Sequence, residues 1–365
     1  MMFRLGGQPV PLLGRMRLYV CGITPYDTTH LGHAFTFAWI DTVARVLEHV
    51  GVEVEVCRNV TDVDDDLLAQ ARQLGEPWQM LANRQTYQFE DDMRRLRVRR
   101  PAFEPMSHDY VQQVVFLTRA LLDRGAAYER DGSVFFRGAD VPERAGVERD
   151  LALELHRQGH GHPDDPAKED PFDTLLWQPS LTGEPTWHSP WGDGRPGWHA
   201  ECAAMATTVL GLSVDVHAGG RDLAFPHHAY EAAMVETATG VAPFARSWMH
   251  VGTVNHEGEK MAKSTGNLVF VRDLLETHPA EVVRMMLLDR TWSQSWEFGG
   301  VELDRAGERL ERLRAAAARV GGSESAEHEV VRLLVEDQGV TAALDLAIDD
   351  QGLPARTAAN LLGLS

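Results

Sequence analysis

The chain has 365 residues, 44% of them hydrophobic, and carries 54 acidic against 35 basic side chains, for a formal charge of −19. This length allows about two to three domains, and the apolar fraction excludes a disordered, collagen-like or low-complexity chain. The acidic charge argues against broad non-specific binding to nucleic acid, which requires positive charge, but it leaves room for a shaped tRNA site.

Hydropathy and cysteine content indicate the compartment. No stretch reaches the roughly 18 apolar residues of a membrane helix, and the N-terminus lacks the apolar segment and cleavage site of a secretion signal. The three cysteines, Cys21, Cys57 and Cys202, are too few for a disulfide framework and indicate a reducing compartment. We therefore expect a soluble cytoplasmic α/β protein with no membrane partner, either a monomer or a homodimer.

The N-terminal segment predicts a strand, a crossover helix and a second, parallel strand. A β-rich run over 17–21 leads into turn residues, and an apolar stripe at helical spacing spans 34–50. Valines alternate with polar residues over 52–56, as in a strand. Ligands bind beyond the carboxyl ends of the strands in open parallel sheets, so we expect a site near residues 21–24 and 59–62.

The remaining chain divides into an insertion, a second half of the sheet and an acidic tail. Helical periodicity dominates 62–130, and a Pro-rich, charged stretch over 160–171 then interrupts it. A strand over 214–217 and a helix over about 226–239 predict more of the sheet. From 301 onward the chain is helical, with seven Arg against twelve Asp and Glu.

The motif His30-Leu31-Gly32-His33 follows the first predicted strand and enters a helix. Two imidazoles one helical turn apart can hydrogen-bond phosphate or ribose oxygens, and Gly32 lets a nucleotide approach the backbone. The helix N-terminus adds amide donors and favours anions. Two surface histidines that cap a helix are an equally good interpretation of this tetrapeptide alone.

A second motif, Lys260-Met261-Ala262-Lys263-Ser264, lies in a Gly-flanked loop. Two lysines and a hydroxyl suit a pyrophosphate leaving group, because nucleotidyl transfer is catalysed mainly by placed charge. The loop is not a P-loop, since no Gly-x₄-Gly-Lys occurs. A solvated basic turn is the alternative interpretation.

A metal site is suggested by Cys21, Cys202, His227 and Glu231. The last two are four residues apart at the start of one predicted helix, so they project from the same face. Two thiolates, an imidazole and a carboxylate form a plausible Zn²⁺ shell. Because free cysteines are often small buried hydrophobes, a core role for both thiols remains the alternative. We assign the third cysteine, Cys57, to the core.

Taken together and in order, five blocks of sequence resemble the class I cysteine-activating ligases. That family holds the cysteinyl-tRNA synthetases and the mycothiol-pathway cysteine:glucosaminyl-inositol ligases. The blocks are residues 21–34, 59–65, 194–202, 219–228 and 260–264. The resemblance covers about 17–298 and implies an α/β fold, with a Rossmann-like parallel-sheet core, an inserted mainly helical subdomain and a short helical C-terminal region. The corresponding boundaries are 1–110 and 191–257 for the two halves of the catalytic domain, 111–190 for the insertion, 258–300 for the KMSKS-type loop and stem, and 301–365 for the tail.

The resemblance implies that ATP, with Mg²⁺, activates L-cysteine as cysteinyl-adenylate and that each chain binds one Zn²⁺. The HIGH-type signature maps onto His30 and His33. The KMSKS-type signature maps onto Lys260, Lys263 and Ser264. The zinc ligands map onto Cys21, Cys202, His227 and, in the tRNA-synthetase branch, Glu231. Substrate and adenylate contacts map onto Cys21, Gly22, Ile23, Thr24, Thr36, Asn59, Val60, Thr61, Trp198, Gly220, Arg221, Asp222 and Val254.

The chemistry is consistent with that assignment. Zinc that accepts a thiolate favours cysteine over serine, whose oxygen is harder and whose hydroxyl is far less acidic. Discrimination of this kind can reach ~10⁴, so no editing domain is required. Trp198 would wall the side-chain pocket, and Asp222 would take the substrate amine or the ribose hydroxyls.

The acceptor of the activated cysteine is less clear from the residues. The motif blocks near 24–34 are similar to the mycothiol branch, although its ERGGDP-like signature is only partly kept over 157–163. His217 and Glu231 resemble the tRNA-synthetase branch. Ala262 replaces the first Ser of the usual loop, from which we expect weaker closure. Only about 65 residues, with a net acidic charge, follow the core, and we expect these to be too few for the helical region and anticodon-binding module usual in the tRNA-synthetase branch.

We therefore favour a small amine acceptor, glucosaminyl-inositol, over tRNA, with a paralogue that uses another acceptor as a third possibility. A basic cluster could meet a phosphate backbone, although a solvated helix end is the better interpretation. Its members are Arg94, Arg95, Arg97, Arg99 and Arg100. Two other classes fit poorly: a zinc deaminase would need a P-C-x-x-C motif beside His199-Ala200-Glu201, and a non-catalytic regulator would not need both signature lysines and both histidines.

Overall fold

The computed structural model describes residues 1–26, 29–261, 266–336 and 338–365. Its strands are β1 (Arg4–Leu5), β2 (Gln8–Pro9), β3 (Arg15–Ile23), β4 (Glu53–Val60), β5 (Ala127–Arg130), β6 (Ser133–Phe136), β7 (Thr174–Pro179), β8 (Gly194–Pro196), β9 (Val214–Gly220), β10 (Ala245–Val251), β11 (Val254–His256), β12 (Glu259–Lys260) and β13 (Trp296–Glu297). Its α-helices are α1 (Leu31–His49), α2 (Asp65–Leu74), α3 (Trp78–Arg95), α4 (Val111–Asp123), α5 (Val141–Arg144), α6 (Arg149–Gln158), α7 (Trp198–Leu210), α8 (Ala229–Thr239), α9 (Val271–Thr277), α10 (Ala280–Leu288), α11 (Gly300–Ala317), α12 (Glu324–Glu336), α13 (Val340–Asp350) and α14 (Leu353–Leu361).

A four-stranded parallel sheet in the order β10-β9-β3-β4 forms the centre of the catalytic core. Leu18 of β3 lies opposite both Val56 and Val216, and all three side chains are apolar. Helix α1 connects β3 to β4 and buries most of its length against the sheet. The predicted strand–helix–strand unit and its parallel pairing are therefore confirmed.

The carboxyl end of β3 departs from regular pairing where the predicted site begins. The register with β4 shifts between Val20 and Ile23. Gly22 approaches the neighbouring chain so closely that an added Cβ would lie 1.8 Å from the carbonyl oxygen of Asn59. Its N–H instead donates to Asn59 Oδ1 at 2.9 Å. Only glycine fits here, and the irregularity turns the end of the strand toward the site.

The insertion contains the predicted helices and, beside them, a small sheet that the sequence analysis does not predict. Helices α4, α5 and α6 are present, but they accompany an antiparallel sheet in the order β5-β6-β7-β8. Its strands are only three to six residues long, so periodicity is weak. Aromatic side chains such as Phe135, Phe136 and Trp177 are fully or almost fully buried on it. Aromatic residues favour strands and therefore indicate this sheet in the sequence, but the helical periodicity of the neighbouring segments dominated the prediction.

The acidic tail forms the predicted helices, α11 to α14, and packs against the catalytic core. Leu310, Leu334 and Leu344 belong to the same apolar cluster as residues of α1 and α10. Arg284 on α10, fully buried, binds Asp41 of α1 at 2.6 Å and also donates to the carbonyl oxygen of Leu362. The tail is thus continuous with the core. Among the described residues, no helix is both long and apolar enough to span a bilayer.

Candidate active site

A cavity of about 280 Å³ opens at the carboxyl ends of β3 and β9, where the sheet topology predicts a ligand. Most predicted site residues line it: Cys21, Gly22, Ile23, Thr24, His30, His33, Thr36, Asn59, Thr61, Trp198, Cys202, Gly220, Asp222, His227, Val254 and Lys260. Val60 instead points into the apolar core, and the guanidinium of Arg221 donates to the carbonyl of Ser293. Lys263 and Ser264 lie outside the described residues.

The first signature forms the N-terminus of α1. His30 is the cap residue, and its Nδ1 accepts the N–H of Gly32 at 3.1 Å. The ring of His33 lies 3.9 Å from the ring of His30, and its Nδ1 accepts the His30 N–H at 3.4 Å. Burial lowers the pKa of His30 well below its ordinary value, with His33 and Lys260 adding to the effect. The histidines therefore cap the helix and also line the cavity.

The second signature contributes an exposed cation. Lys260 Nζ lies 2.7 Å from Asp222 Oδ2, and each side chain is about half exposed, at 50% and 47%. Asp222 follows β9 and Lys260 ends β12, so two separate segments meet across the cavity. A carboxylate and an ammonium at this position can exchange their mutual contact for contacts to a charged ligand.

The four predicted metal ligands converge. Cys21, Cys202, His227 and Glu231 each offer one ligand atom, and these atoms lie within 4.8 Å of one another among buried side chains. Glu231 Oε1 lies 3.3 Å from Cys21 Sγ and 3.0 Å from His227 Nε2. The amide of Asn59 donates to Cys202 Sγ at 3.3 Å. Cys57, assigned to the core, is fully buried in the apolar cluster beside them.

The protonation chemistry of this cluster suits a bound cation. Burial raises the pKa of the Cys21 thiol well above its ordinary value, and Cys202 and Glu231 raise it further. Burial also raises the pKa of Cys202 and lowers that of His227. His227 Nε2 lies close to Glu231 but makes no hydrogen bond, so this buried ring nitrogen has no hydrogen-bond partner among the described residues. A cation among these atoms would stabilise the thiolates and take the imidazole nitrogen as a ligand.

A second group of donors adjoins the first and was only partly visible in the sequence. Cys21 and Glu231 also lie within 4.8 Å of His217 and His228. His217 Nε2 is 3.0 Å from Glu231 Oε2, and His228 Nδ1 is 2.9 Å from His250 Nε2. Glu231 is therefore shared between both groups. The adjacent pair His227-His228 was the signal that could have suggested two donors here.

Aromatic rings enclose the metal cluster on one side. Trp198 stacks on His227 with ring centres 4.1 Å apart, and His199 stacks on Tyr230 at 5.1 Å. His199 Nδ1 lies 2.7 Å from His227 Nδ1, within hydrogen-bonding distance, so the other nitrogen of His227 faces the cluster. Trp198 also lines the cavity.

Comparison with known proteins relates most of the chain to one family. A family model described as "tRNA synthetases class I (C) catalytic domain" matches residues 11–308. An L-cysteine:1D-myo-inositol 2-amino-2-deoxy-alpha-D-glucopyranoside ligase of Acidothermus cellulolyticus is 46% identical over 84% of this chain and 77% of its own. The ligase of the same name from Thermobifida fusca is 42% identical over 96% and 90%.

A cysteine–tRNA ligase and a solved synthetase complete the comparison. The cysteine–tRNA ligase of Halorhodospira halophila is 44% identical over 82% of this chain and 65% of its own length. The structure of methionyl-tRNA synthetase from Mycobacterium tuberculosis in complex with methionyl-adenylate aligns with 96% of this chain and 82% of its own, with a TM-score of 0.61 at 16% identity. That likeness concerns the fold and agrees with the predicted Rossmann-like core.

Proposed function

Because the chain belongs to the tRNA synthetases class I (C) catalytic domain family, we propose that it activates L-cysteine with ATP and transfers the cysteinyl group to a small amine. In the first step the cysteine carboxylate attacks the α-phosphorus of ATP, and pyrophosphate leaves. In the second step the amine attacks the carboxyl carbon of the adenylate. A C–N bond forms, and AMP leaves with the electron pair of the broken C–O bond.

One observation supports this proposal most directly. A single cavity is lined by metal-binding side chains, which suit a thiol, and by a helix N-terminus and a lysine, which suit phosphate groups. On its buried side lie Cys21, Cys202 and His227, which belong to the metal cluster. On its other side lie the capped N-terminus of α1 and the ammonium of Lys260. A ligand that bridges both sides must carry sulfur at one end and phosphate at the other, as cysteinyl-adenylate does.

We propose that the metal is Zn²⁺, held by Cys21, Cys202, His227 and Glu231. Two thiolates, an imidazole and a carboxylate are ligands that zinc prefers in proteins. When bound, zinc would accept the substrate's sulfur as a thiolate, which serine cannot match. The chain's own residues then hold the rest of the amino acid: Trp198 covers the apolar side of the pocket, and Asp222 faces its amine or the ribose hydroxyls.

The remaining residues serve the nucleotide. The N–H groups at the start of α1 and the histidines His30 and His33 suit phosphate oxygens, since a helix N-terminus favours anions. The close backbone approach at Gly22 keeps side chains out of the path of the adenosine. Lys260, together with Lys263 and Ser264 of the same motif, would neutralise the departing pyrophosphate along with Mg²⁺.

Charge around the cavity favours a small cationic acceptor over tRNA. The five arginines of the basic cluster already have partners within the chain: Arg94 with Asp91, Arg95 with the Leu275 carbonyl, Arg97 with Glu281, Arg99 with Asp41 and Glu48, and Arg100 with Glu90. Arg94 and Arg100 are largely exposed, as expected for a solvated helix end, and a phosphate backbone would have to compete with these acidic partners. Asp64 caps α2 shortly after the cavity-lining Thr61, and Asp65, which pairs with Arg195, and Asp66 follow it. Phosphates would meet the Asp64 and Asp66 carboxylates unfavourably.

Aminoacylation of tRNA is the second candidate. The identity to the Halorhodospira halophila cysteine–tRNA ligase and the contact between His217 and Glu231 favour it. A paralogue with a different acceptor is the third. All three share cysteine activation and differ only in the second step.

Two assays test the proposal in sequence. Purified protein should catalyse exchange of labelled pyrophosphate into ATP that depends on cysteine and not on serine, with no acceptor present. Exchange that is equally fast with serine would refute selection at the thiol. The enzyme is then given ATP, cysteine and either glucosaminyl-inositol or tRNA. Cysteinylation of tRNA in place of the amino sugar would replace the first candidate by the second.

A further inference from the structure

A partly exposed aromatic surface continues outward from the cavity. Tyr26 lines the cavity and also packs, with Trp78, against the apolar cluster between α2 and α3. The ring of Trp78 meets the ring of His108 edge-on, with centres 6.2 Å apart. We call the surface formed by Tyr26, Trp78 and His108 the rim. It adjoins the cavity through Tyr26.

The imidazole of the rim is held in one orientation from inside. Asp62 directly follows Thr61, which lines the cavity, and only 1% of it is exposed. One of its oxygens accepts the backbone N–H of His108 at 3.1 Å, and the other pairs with His108 Nδ1. Nε2 therefore points outward, 3.4 Å from the exposed carboxylate of Asp109. The 38% exposed side chain of His108 thus presents a fixed polar atom beside an aromatic face.

An acceptor that attacks the adenylate needs a binding surface that adjoins the cavity. The cavity volume of about 280 Å³ is close to the lower end of the roughly 300–1,000 Å³ of pockets that enclose drug-sized ligands. The rim adjoins this cavity through Tyr26 and through Asp62, which follows the cavity-lining Thr61.

We propose that the rim is the acceptor subsite and that it binds a polyhydroxylated amine, an amino sugar or amino-cyclitol conjugate. The proposal rests on the proposed function and specifies its second substrate. The C–H face of such a ring packs on Trp78 and Tyr26, while vicinal hydroxyls meet His108 Nε2 and the Asp109 carboxylate. Asp62 acts as a positioning residue behind His108. The neighbouring Asp64 and Asp109 carboxylates favour a cationic amine and oppose a polyphosphate chain.

The experiment separates the two half-reactions. Trp78→Ala and His108→Ala are compared with the wild type in cysteine-dependent pyrophosphate exchange and in transfer to glucosaminyl-inositol. We expect each variant to raise the acceptor KM about tenfold, the size expected when one stacking contact or hydrogen bond is lost. Exchange and the acceptor kcat should stay close to wild type. Trp78→Phe and His108→Gln, which keep an aromatic face and a polar donor, should restore most of the affinity.

A matched control lies on the same helix. Tyr87 is 76% exposed on α3 but not part of the rim, and Tyr87→Ala should change neither half-reaction. An unchanged acceptor KM in His108→Ala, or exchange that falls in parallel with transfer, overturns the subsite. Transfer to tRNA that depends on the same two residues also overturns it. If the wild type lacks exchange altogether, the proposed function itself has failed.

Discussion

The two sides of the cavity are built in opposite ways. On the metal side, Glu231 and His217 are fully buried and each donor contacts another donor. On the nucleotide side, Lys260 and Asp222 form a pair that is about half exposed. Removing one partner of a buried pair costs about 3–5 kcal/mol, whereas an exposed pair contributes about 0–1 kcal/mol.

This difference matches the tasks proposed for each side. A group that selects one amino acid by its sulfur needs donors that cannot rearrange, and burial in a packed interior supplies that rigidity. A side chain that neutralises a departing pyrophosphate must break its existing ion pair with only a small loss of free energy. If this is correct, substitutions on the metal side should abolish metal binding, whereas substitutions on the nucleotide side should slow catalysis and leave the fold intact.

The largest effect is expected at the metal cluster. Cys202→Ser should lose the metal and cysteine-dependent exchange together, by more than the roughly 10–100-fold that residues supporting the ligands cost. Elemental analysis of the purified variant and the exchange assay measure the two losses. The matched control is Cys57→Ser, a buried cysteine of the same apolar cluster that belongs to neither donor group. Full zinc content in Cys202→Ser would remove that residue from the metal site.

A smaller, purely kinetic effect is expected on the exposed side. Lys260→Ala should slow adenylate formation by about 10- to 100-fold, because one charge that stabilises the transition state is lost. The KM for cysteine and the unfolding temperature should hardly change, since the Asp222 pair is exposed. Single-turnover formation of adenylate measures the rate. Arg272→Ala, which removes a comparably exposed cation on α9, should have no effect, and an unaffected Lys260 variant would assign the motif another role.

A third effect concerns stability and pH near the insertion. Burial, with a smaller contribution from Lys168, lowers the pKa of His156 to about 4. The unfolded chain binds this proton at a pKa of about 6.5, so unfolding takes up a proton between these values and stability falls as pH drops from about 6.5 to 4. The His156 contribution lost is at most about 3 kcal/mol. Denaturant unfolding of His156→Leu should show a flatter pH dependence than the wild type. His188→Gln, an exposed histidine, should leave the slope unchanged.

The smallest effect is expected at the basic cluster. Arg100 is largely exposed and pairs with Glu90 at 3.2 Å. Arg100→Ala should leave exchange and transfer unchanged and alter the free energy of unfolding by less than about 0.5 kcal/mol. A loss of tRNA cysteinylation in this variant would revive the tRNA interpretation.

Much of the core could be predicted because its signals are local. The helix α1 follows from an apolar stripe, and the strand β4 follows from alternating valines. The small antiparallel sheet of the insertion is only partly encoded by local signals. Strands β5 and β6 form a hairpin around Asp131-Gly132, a turn sequence that our sequence analysis missed, whereas β7 pairs with β6 only after α5 and α6 intervene. Phe135 and Trp177 favour strands, but isolated residues cannot specify which segment they pair with.

The same distinction between local sequence signals and long-range contacts applies to the candidate site. Residues from separate segments, Cys21, Cys202 and His227, were grouped by resemblance, and the fold brings them together. The second donor group had a partial signal, because His217 entered through resemblance and His228 lies beside His227, but its closeness to Glu231 appears only in the fold. His108, in the rim, has no motif signal in our sequence analysis.

The sequence by itself determined the class of chemistry, since cysteines, histidines and signature lysines in a set order are residue identities that folding does not alter. Only the tertiary structure decided which metal ligands contact Glu231 and which partners the arginines of the basic cluster have. It also decided that Tyr26, Trp78 and His108 form the rim, the proposed acceptor subsite. These properties depend on distances between segments more than a hundred residues apart in some cases, as with Asn59 and Cys202. No local pattern encodes such distances, because packing of the whole core sets them.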